Sequence, residues 1–275
     1  MIRKIGVVLI VISFLMVVAA SMASAATYIY VSGNGFTCSR TQPEYMINAG
    51  GSSLKVQPDS YKFNVYRADA PGYSGMSAPY ITAGYNAYRN SSLCNNRNYR
   101  GYYLSRSYAL PVKLGKQGQP AGNVHDLISS NFSGDSGFDL WLTASAGEHS
   151  YAQMVNGGSG TTEIMLWLQH RGVPTSGSYN ISIDGRKWGI TVGLASHGHG
   201  VKPGRKGWNV VNFIAPSGSR SNVTFNHLHL NAFIGYAISH GWLRSSDYLM
   251  SVNQGFEITH GTATVAGYSL SGLPH

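Results

Sequence analysis

Glu163 and Glu257 each interrupt a short apolar run, Thr161-Thr-Glu-Ile-Met-Leu-Trp-Leu168 and Gly255-Phe-Glu-Ile-Thr259, in a chain with only four glutamates. Most of the other acids among the eleven lie beside Gly, Ser, Asn or Pro, where a solvated carboxylate costs little. A carboxylate inside a strand needs a reason, and two of them suggest an acid/base pair. Asp139 stands in a third run of the same kind, Phe138-Asp-Leu-Trp-Leu142. Cleavage of a glycosidic bond uses such groups directly. One protonated carboxyl donates to the departing oxygen, and one ionised carboxylate attacks or stabilises the oxocarbenium-like centre. A third acid nearby keeps the two proton affinities apart by repulsion and orientation.

Side chains alternate across a sheet. Read as strands, these runs put Glu163, Met165 and Trp167 on one face and Ile164, Leu166 and Leu168 on the other. Glu257 and Thr259 oppose Phe256 and Ile258, and Asp139 and Trp141 oppose Phe138, Leu140 and Leu142. Three acids therefore face away from the core. Polar residues on the open side of an antiparallel sheet are ordinary, but Met165 and Trp167 beside Glu163 are a poor choice for a face that meets only water. They point to a binding surface. If that surface is concave it is a groove of carboxylates and aromatic planes, on which sugar rings stack.

The elements that must position these groups follow from the rest of the chain. Met1-Ile-Arg-Lys4, the apolar stretch Ile5 to Ala20 and the small residues Ala23-Ser24-Ala25 read as a secretory signal peptide over residues 1–25, with an uncleaved membrane anchor as the alternative. Residues 26–275 form one secreted, extracellular domain, with no stable membrane association once the leader is removed. Losing Arg3 and Lys4 takes the formal charge from +9 to 18 − 11 = +7. No run of Lys or Arg exceeds two, so no nucleic-acid groove is expected, and the charge suits solubility or acidic cell-wall material. Cys38 and Cys94 allow a single disulfide.

The 34 glycines and 18 tyrosines, and the lack of an extended helical pattern, favour β structure. Further strands are expected at Tyr179–Ile183, Trp188–Val192 and Trp208–Ala215, with a tight hairpin turn at Asp184-Gly185. One helix is expected over Leu228–Ser239, its apolar residues spaced three and four apart and Gly241 capping it. No linker or repeat divides the chain. The expected fold is all-β, a sandwich or jelly roll of two antiparallel sheets with a concave groove and one helix.

These segments resemble the retaining endo-β-1,4-glucanases of glycoside hydrolase family 12. Glu163-Ile-Met-Leu-Trp-Leu168, with Gly172 and Pro174-Thr-Ser-Gly177 after it, looks like the family's nucleophile strand and following loop. Gly255-Phe-Glu-Ile-Thr-His-Gly261 looks like its acid/base strand, and Phe138–Leu142 like the strand of its assisting aspartate. Trp208–Phe213 and the helix leading into Tyr248–Val252 follow the family's order, so the resemblance spans about Phe138 to Ser271. It implies a β-jelly roll, a β-glucan as the polysaccharide partner, no metal or cofactor, and a monomer. Glu163 would be the nucleophile, Glu257 the general acid/base and Asp139 the nucleophile's partner, with the two glutamate carboxyls about 5 to 5.5 Å apart. Met165 would pack in the cleft floor, and Trp141, Trp167, Pro174 and His260 would touch substrate.

The amino-terminal half departs from the family at its Asn-x-Trp, which here is Asn34-Gly-Phe36. Either Phe36 is a smaller stacking platform beside Asn34 or that subsite is built otherwise. Tyr28, Tyr30, Tyr66, Tyr80, Tyr85 and Tyr88 offer other rings. Ala78–Tyr85 resembles the family's stretch ahead of its second Cys, which supports the Cys38–Cys94 pairing. His197-Gly-His199 and His227-Leu-His229, with His240 and His260, could in principle gather a metal, since residues two apart in a strand share a face, but His197 and His199 lie in a Gly-rich stretch with no acid nearby in sequence, and no metal is expected. Two rival readings stay open, a non-catalytic carbohydrate-binding jelly roll and a structural surface protein; the first needs the aromatics but not the paired glutamates.

Overall fold

A computed structural model describes residues 28–33, 35–38, 45–57, 60–68, 76–89, 102–104, 109–146, 161–173, 180–195, 208–216 and 221–274. The expected signal segment, Asn34, Cys94 and Pro174 lie outside the described residues. Among the described residues, seventeen strands build two sheets. The smaller runs in the order β1 (Ile29–Gly33), β4 (Ser52–Gln57), β5 (Lys62–Ala68), β17 (Ala263–Ser271), β9 (Ala121–Ile128), β15 (Asn222–His229). The larger runs β12 (Ile181–Ile183), β13 (Arg186–Ala195), β14 (Trp208–Ile214), β11 (Thr162–Arg171), β10 (Ser133–Thr143), β16 (Tyr248–His260), β6 (Tyr80–Arg89), β3 (Met46–Asn48), β2 (Phe36–Cys38). Two short strands attach to it, β7 (Tyr102–Leu104) on β6 and β8 (Val112–Lys113) on β16.

The alternation read from the sequence is what welds the sheets together. Phe138, Leu140 and Leu142 of β10, Ile164, Leu166 and Leu168 of β11, and Val252, Phe256 and Ile258 of β16 are buried in one apolar cluster with Leu54, Val56, Phe63, Val65 and Val124 of the smaller sheet. Full burial of such side chains contributes roughly 1.5–3 kcal/mol each. Phe138 lies so close over Gly122 of β9 that a Cβ there would fall 2.2 Å from its ring, so the two sheets approach most tightly behind the middle of β10.

Strand β17 follows the Glu257 strand and belongs to the smaller sheet, so Gly255–Thr259 is not the chain's last strand. The β11–β14 pair is parallel while every other pair is antiparallel, because the chain leaves β11 and comes back through the β12–β13 hairpin before laying β14 beside it. That hairpin turns on Asp184-Gly185 with φ of 52° and 70°, the left-handed pair a two-residue type I′ loop requires. The helix α1 spans Leu230–Ser239 and buries Leu230, Phe233, Ile234 and Ala237. It begins two residues later than its apolar spacing suggests, because Leu228 and His229 still pair with β9 as the end of β15. Gly241, at φ 73°, closes it with its N–H on the Ile238 carbonyl.

One acid lies inside the sandwich. Asp126 of β9 accepts from Ser136 Oγ (2.6 Å) and Gln254 Nε2 (3.1 and 3.2 Å), so it grips the core-facing sides of β10 and β16 together. Burial raises its pKa to about 7, partly opposed by those two hydrogen bonds. The folded pKa lies above the unfolded value, so this group's stability contribution is fully present below about pH 4 and is lost as pH rises through about 7. In Asp126→Asn the amide accepts from Gln254 and donates to Ser136 without a charge. The Tm of the variant relative to wild type is expected to climb by several degrees between pH 5 and pH 8 in scanning calorimetry; a Tm difference independent of pH would refute this account.

Candidate active site

The face of the larger sheet that points away from the smaller one carries the acids. β10 runs between β11 and β16 and sets the position of every one of them. On the β11 side Trp141 opposes Glu163, Asp139 opposes Met165 and Gly137 opposes Trp167. On the β16 side Trp141 opposes Ser251, Asp139 opposes Asn253, Gly137 opposes Gly255 and Asp135 opposes Glu257. Glu163 and Glu257 thus flank β10 on the same face, displaced along it by 141 − 135 = 6 residues, with Asp139 between them.

This face is closely packed. Trp141, Met165, Trp208, Val210 and Met250 form a second apolar cluster beneath Trp167 and Tyr248, separate from the sandwich interior. Trp208 starts β14 and donates its indole N–H to Glu163 Oε2 at 2.5 Å, while its ring lies 5.5 Å from that of Trp141. Trp141 donates in turn to Asp139 Oδ2 at 2.8 Å, and Asn253 Nδ2 donates to the same oxygen at 3.2 Å. Asp139 Oδ1 is buried, and the Asp139 carboxyl lies within hydrogen-bonding reach of Glu163.

Burial is the main reason why these groups hold protons more tightly than free carboxyls. It lifts Asp139 to about 6, against hydrogen bonds from Asn253, Trp141 and Glu163. It lifts Glu163 well above its usual range, with the charges of Asp139 and Glu257 adding to it and the Trp208 donor opposing it. Glu257 rises to about 7 through burial and then the charge of Asp139. Two carboxyls in contact in a dry site share one proton. The hydrogen bond between Asp139 and Glu163 lowers the proton affinity of Asp139 and raises that of Glu163, so in the resting site the shared proton rests on Glu163, with the Trp208 indole opposing it.

One row of residues crosses the sheet through this floor: Phe36, Asn48, Tyr80, Gly255, Gly137 and Trp167, each opposite the next. The two glycines stand where strands press closest, since a Cβ at 255 would lie 2.2 Å from the Pro79 carbonyl oxygen and one at 137 would lie 1.8 Å from that of Leu166. Between Tyr80 and Trp167 the floor therefore has no side chains over three strand spacings, about 14 Å. Phe36 falls at the far end of this row, packed on Met46 and Cys38. His260 returns to the acids' face because a bulge at Ser133/Gly134 sets it opposite Ser133, two positions beyond Asp135.

Other expected residues lie elsewhere. Tyr28 and Tyr30 belong to the outer side of the smaller sheet with Tyr66, and the side chains of Tyr85 and Tyr88 lie outside the described residues. His227 and His229 are on β15 of the smaller sheet, where His229 Nδ1 is 2.6 Å from Asp184. His197 and His199, like Asn34 and Pro174, fall outside the described residues, as does Cys94, so the Cys38 pairing is not described.

Sequence reading missed Trp208, Asn253, His170 and Asp135. Asp135 was within reach: it continues the alternation of Trp141, Asp139 and Gly137 back along β10. His170 was not, because a bulge at Ser136/Gly137 shifts the β11 register and brings it opposite Asp135, its ring 6.2 Å from Trp167.

A two-sheet sandwich that collects carboxyl groups, indoles and amides on one face has the architecture of a jelly-roll glycoside hydrolase. The sequence pattern of glycosyl hydrolase family 12 matches residues 67–271, and the chain belongs to that family. No curated protein sequence matches it. Among solved structures it is similar to a metagenome-derived family 12 endoglucanase (TM-score 0.67, 20% identity, 91% of this chain and 100% of that one). It is also similar to a native family 12 xyloglucanase from Bacillus licheniformis (TM-score 0.64, 19%, 90% and 100%) and to endoglucanase Cel12A from Rhodothermus marinus (0.63, 19%, 89% and 100%). At these identities the likeness is one of fold.

Trp208→Phe keeps a ring against Trp141 and removes the donor to Glu163. A hydrogen bond to a charged group is worth about 1.5–3 kcal/mol, so kcat on a soluble β-glucan is expected to fall roughly 10- to 100-fold. The acid limb of the pH profile should move to higher pH, because the Glu163 carboxylate loses support. An unchanged kcat with a normal Tm would show that the indole does no more than pack.

Proposed function

We infer that this glycoside hydrolase is an endo-β-1,4-glucanase working by retaining double displacement, with Glu163 as nucleophile, Glu257 as general acid/base and Asp139 as the nucleophile's partner. The observation that carries the reading is that Glu163 and Glu257 lie on one face either side of β10, with Asp139 between them and influencing the proton affinity of both. In the first step Glu257 donates its proton to the departing glycosidic oxygen while Glu163 attacks the anomeric carbon, forming a glycosyl ester as the C–O bond breaks. In the second, Glu257 takes a proton from water, whose oxygen displaces Glu163 from that carbon. Asp139 takes up the proton it shares with Glu163 as the nucleophile attacks; while Glu163 still holds that proton, the charge on Asp139 supports the raised proton affinity of Glu257.

The trough between Tyr80 and Trp167 suits an unbranched or branched β-glucan laid across the strands, with Phe36 as a terminal platform, which supports endo-acting cleavage of cellulose-type, mixed-linkage or xyloglucan chains. Export follows from the leader pattern, which also makes a Cys38–Cys94 bridge and action outside the cell as a monomer part of the proposal.

Glu163→Gln should abolish release of reducing ends from soluble β-glucan with Tm within a few degrees of wild type, and Glu257→Gln should do the same for unactivated glycosides. Proton NMR of the first products should show the β-anomer before mutarotation. A first-formed α-anomer rules out retention, and full hydrolysis by Glu163→Gln removes the nucleophile assignment. Activity should also decline as pH rises through about 7, where Glu257 gives up the proton it must donate.

A further inference from the structure

Asp135 has no part in the mechanism above, yet its setting is unusual. It stands directly opposite Glu257 on β16 and opposite His170 on β11. Facing residues of an antiparallel pair hold their Cβ atoms about 4.5–5.5 Å apart, and like charges so placed repel. Asp135 is only 4% exposed, and its Oδ2 is buried with no hydrogen-bond partner. Among the described residues, no salt bridge involves it. The groups that face this pair are Asp139 on the same strand, Glu163 and His170 on β11, His260 on β16 and the Tyr80 phenol on β6. Burial lowers the proton affinity of His170, so it does not supply the missing positive charge, and the Arg171 guanidinium is spent on the carbonyls of Ser129 and Ser130. Among the described residues, this buried acid thus stands face to face with another acid, with no donor on its Oδ2 and no salt bridge.

We propose that Asp135 is a positioning residue for Glu257, the two carboxyls carrying a single proton between them in the resting enzyme. The inference rests on the reading of Glu257 as acid/base. Burial and the charges of Glu257 and Asp139 all push Asp135 toward holding a proton, as a shared site requires. With one proton on the pair, the charge of its neighbour keeps Glu257 loaded for the departing oxygen at neutral pH. Once that proton has moved to the leaving oxygen, the same charge makes the emptied Glu257 a stronger base toward the incoming water, from which the proton is recovered. The pair titrates as a unit, so the alkaline limb of the rate profile reports loss of its last proton.

The test is the pH profile of kcat/KM for Asp135→Asn, an isosteric change that removes the charge. The alkaline limb is expected to move to lower pH by about one unit, with Tm close to wild type. A purely structural role would lower the rate without moving the limb, and an unmoved limb overturns the proposal. Should Asp135→Asn fail to fold, 13C NMR titration of the Asp135 carboxyl in Glu257→Gln decides the matter. Reciprocity requires its midpoint to fall relative to wild type, and an unchanged midpoint refutes the shared proton. If Glu257→Gln hydrolyses polysaccharide normally, the acid/base reading is what fails; if that variant is inactive while the Asp135→Asn limb stays put, only the present proposal does.

Discussion

The register of β10 between β11 and β16 is the constraint on which the site depends. All the carboxyls of the cleft lie on these three strands, and their spacing is set by backbone ladders rather than by flexible loops. A slip of one residue in either ladder would turn Asp135 and Asp139, or their partners, into the hydrophobic interior. Burial of Phe138, Leu140 and Leu142 on one side therefore fixes the acids on the other, and the packing energy of the sandwich is what holds them in place.

Asp126 reinforces that register from behind. By accepting hydrogen bonds from Ser136 and Gln254 it ties β10 to β16 at the residues adjoining Asp135 and Asn253, on the opposite surface of the same two strands. Its own burial is unfavourable above neutral pH, so the fold gives up some alkaline stability to fix the alignment. Front and back thus use the same material, carboxyls in a dry setting, differently placed: the inner one clamps strands and the outer ones gather on one face of the larger sheet.

Much of this was legible from alternation alone. The faces of Glu163, Asp139 and Glu257, the Asp184-Gly185 hairpin and the buried stripe of α1 each follow from a local period of two or of about 3.6. What alternation cannot show is which strands become neighbours. The parallel β11–β14 contact brings Trp208 to Glu163 across 45 residues of sequence, and nothing near Trp208 announces a carboxylate partner. Bulges hide residues in the same way: His170 and His260 reach the acids' face only because the ladders skip there. Trp141 reads as a ring for a ligand, whereas it is nearly buried and joins Met165, expected in the cleft floor, in the apolar cluster beside Asp139 and Glu163.

The chain carries a net formal charge of +9, yet the described salt bridges involve Asp184 and none of the cleft acids. That division has a chemical consequence. A lysine or arginine beside Glu163 or Glu257 would stabilise the ionised form and leave no proton to donate near neutrality. With indole and amide donors in place of cations, each acid keeps a high proton affinity through burial, and the geometry of a few uncharged donors decides which oxygen is left negative. Trp208 on Glu163 and the pair Trp141 and Asn253 on Asp139 act on one side of β10, while on the other Glu257 stands opposite Asp135. The two sides of a single strand thus give chemically similar carboxyls different surroundings, an indole donor on Glu163 and an opposing acid on Glu257.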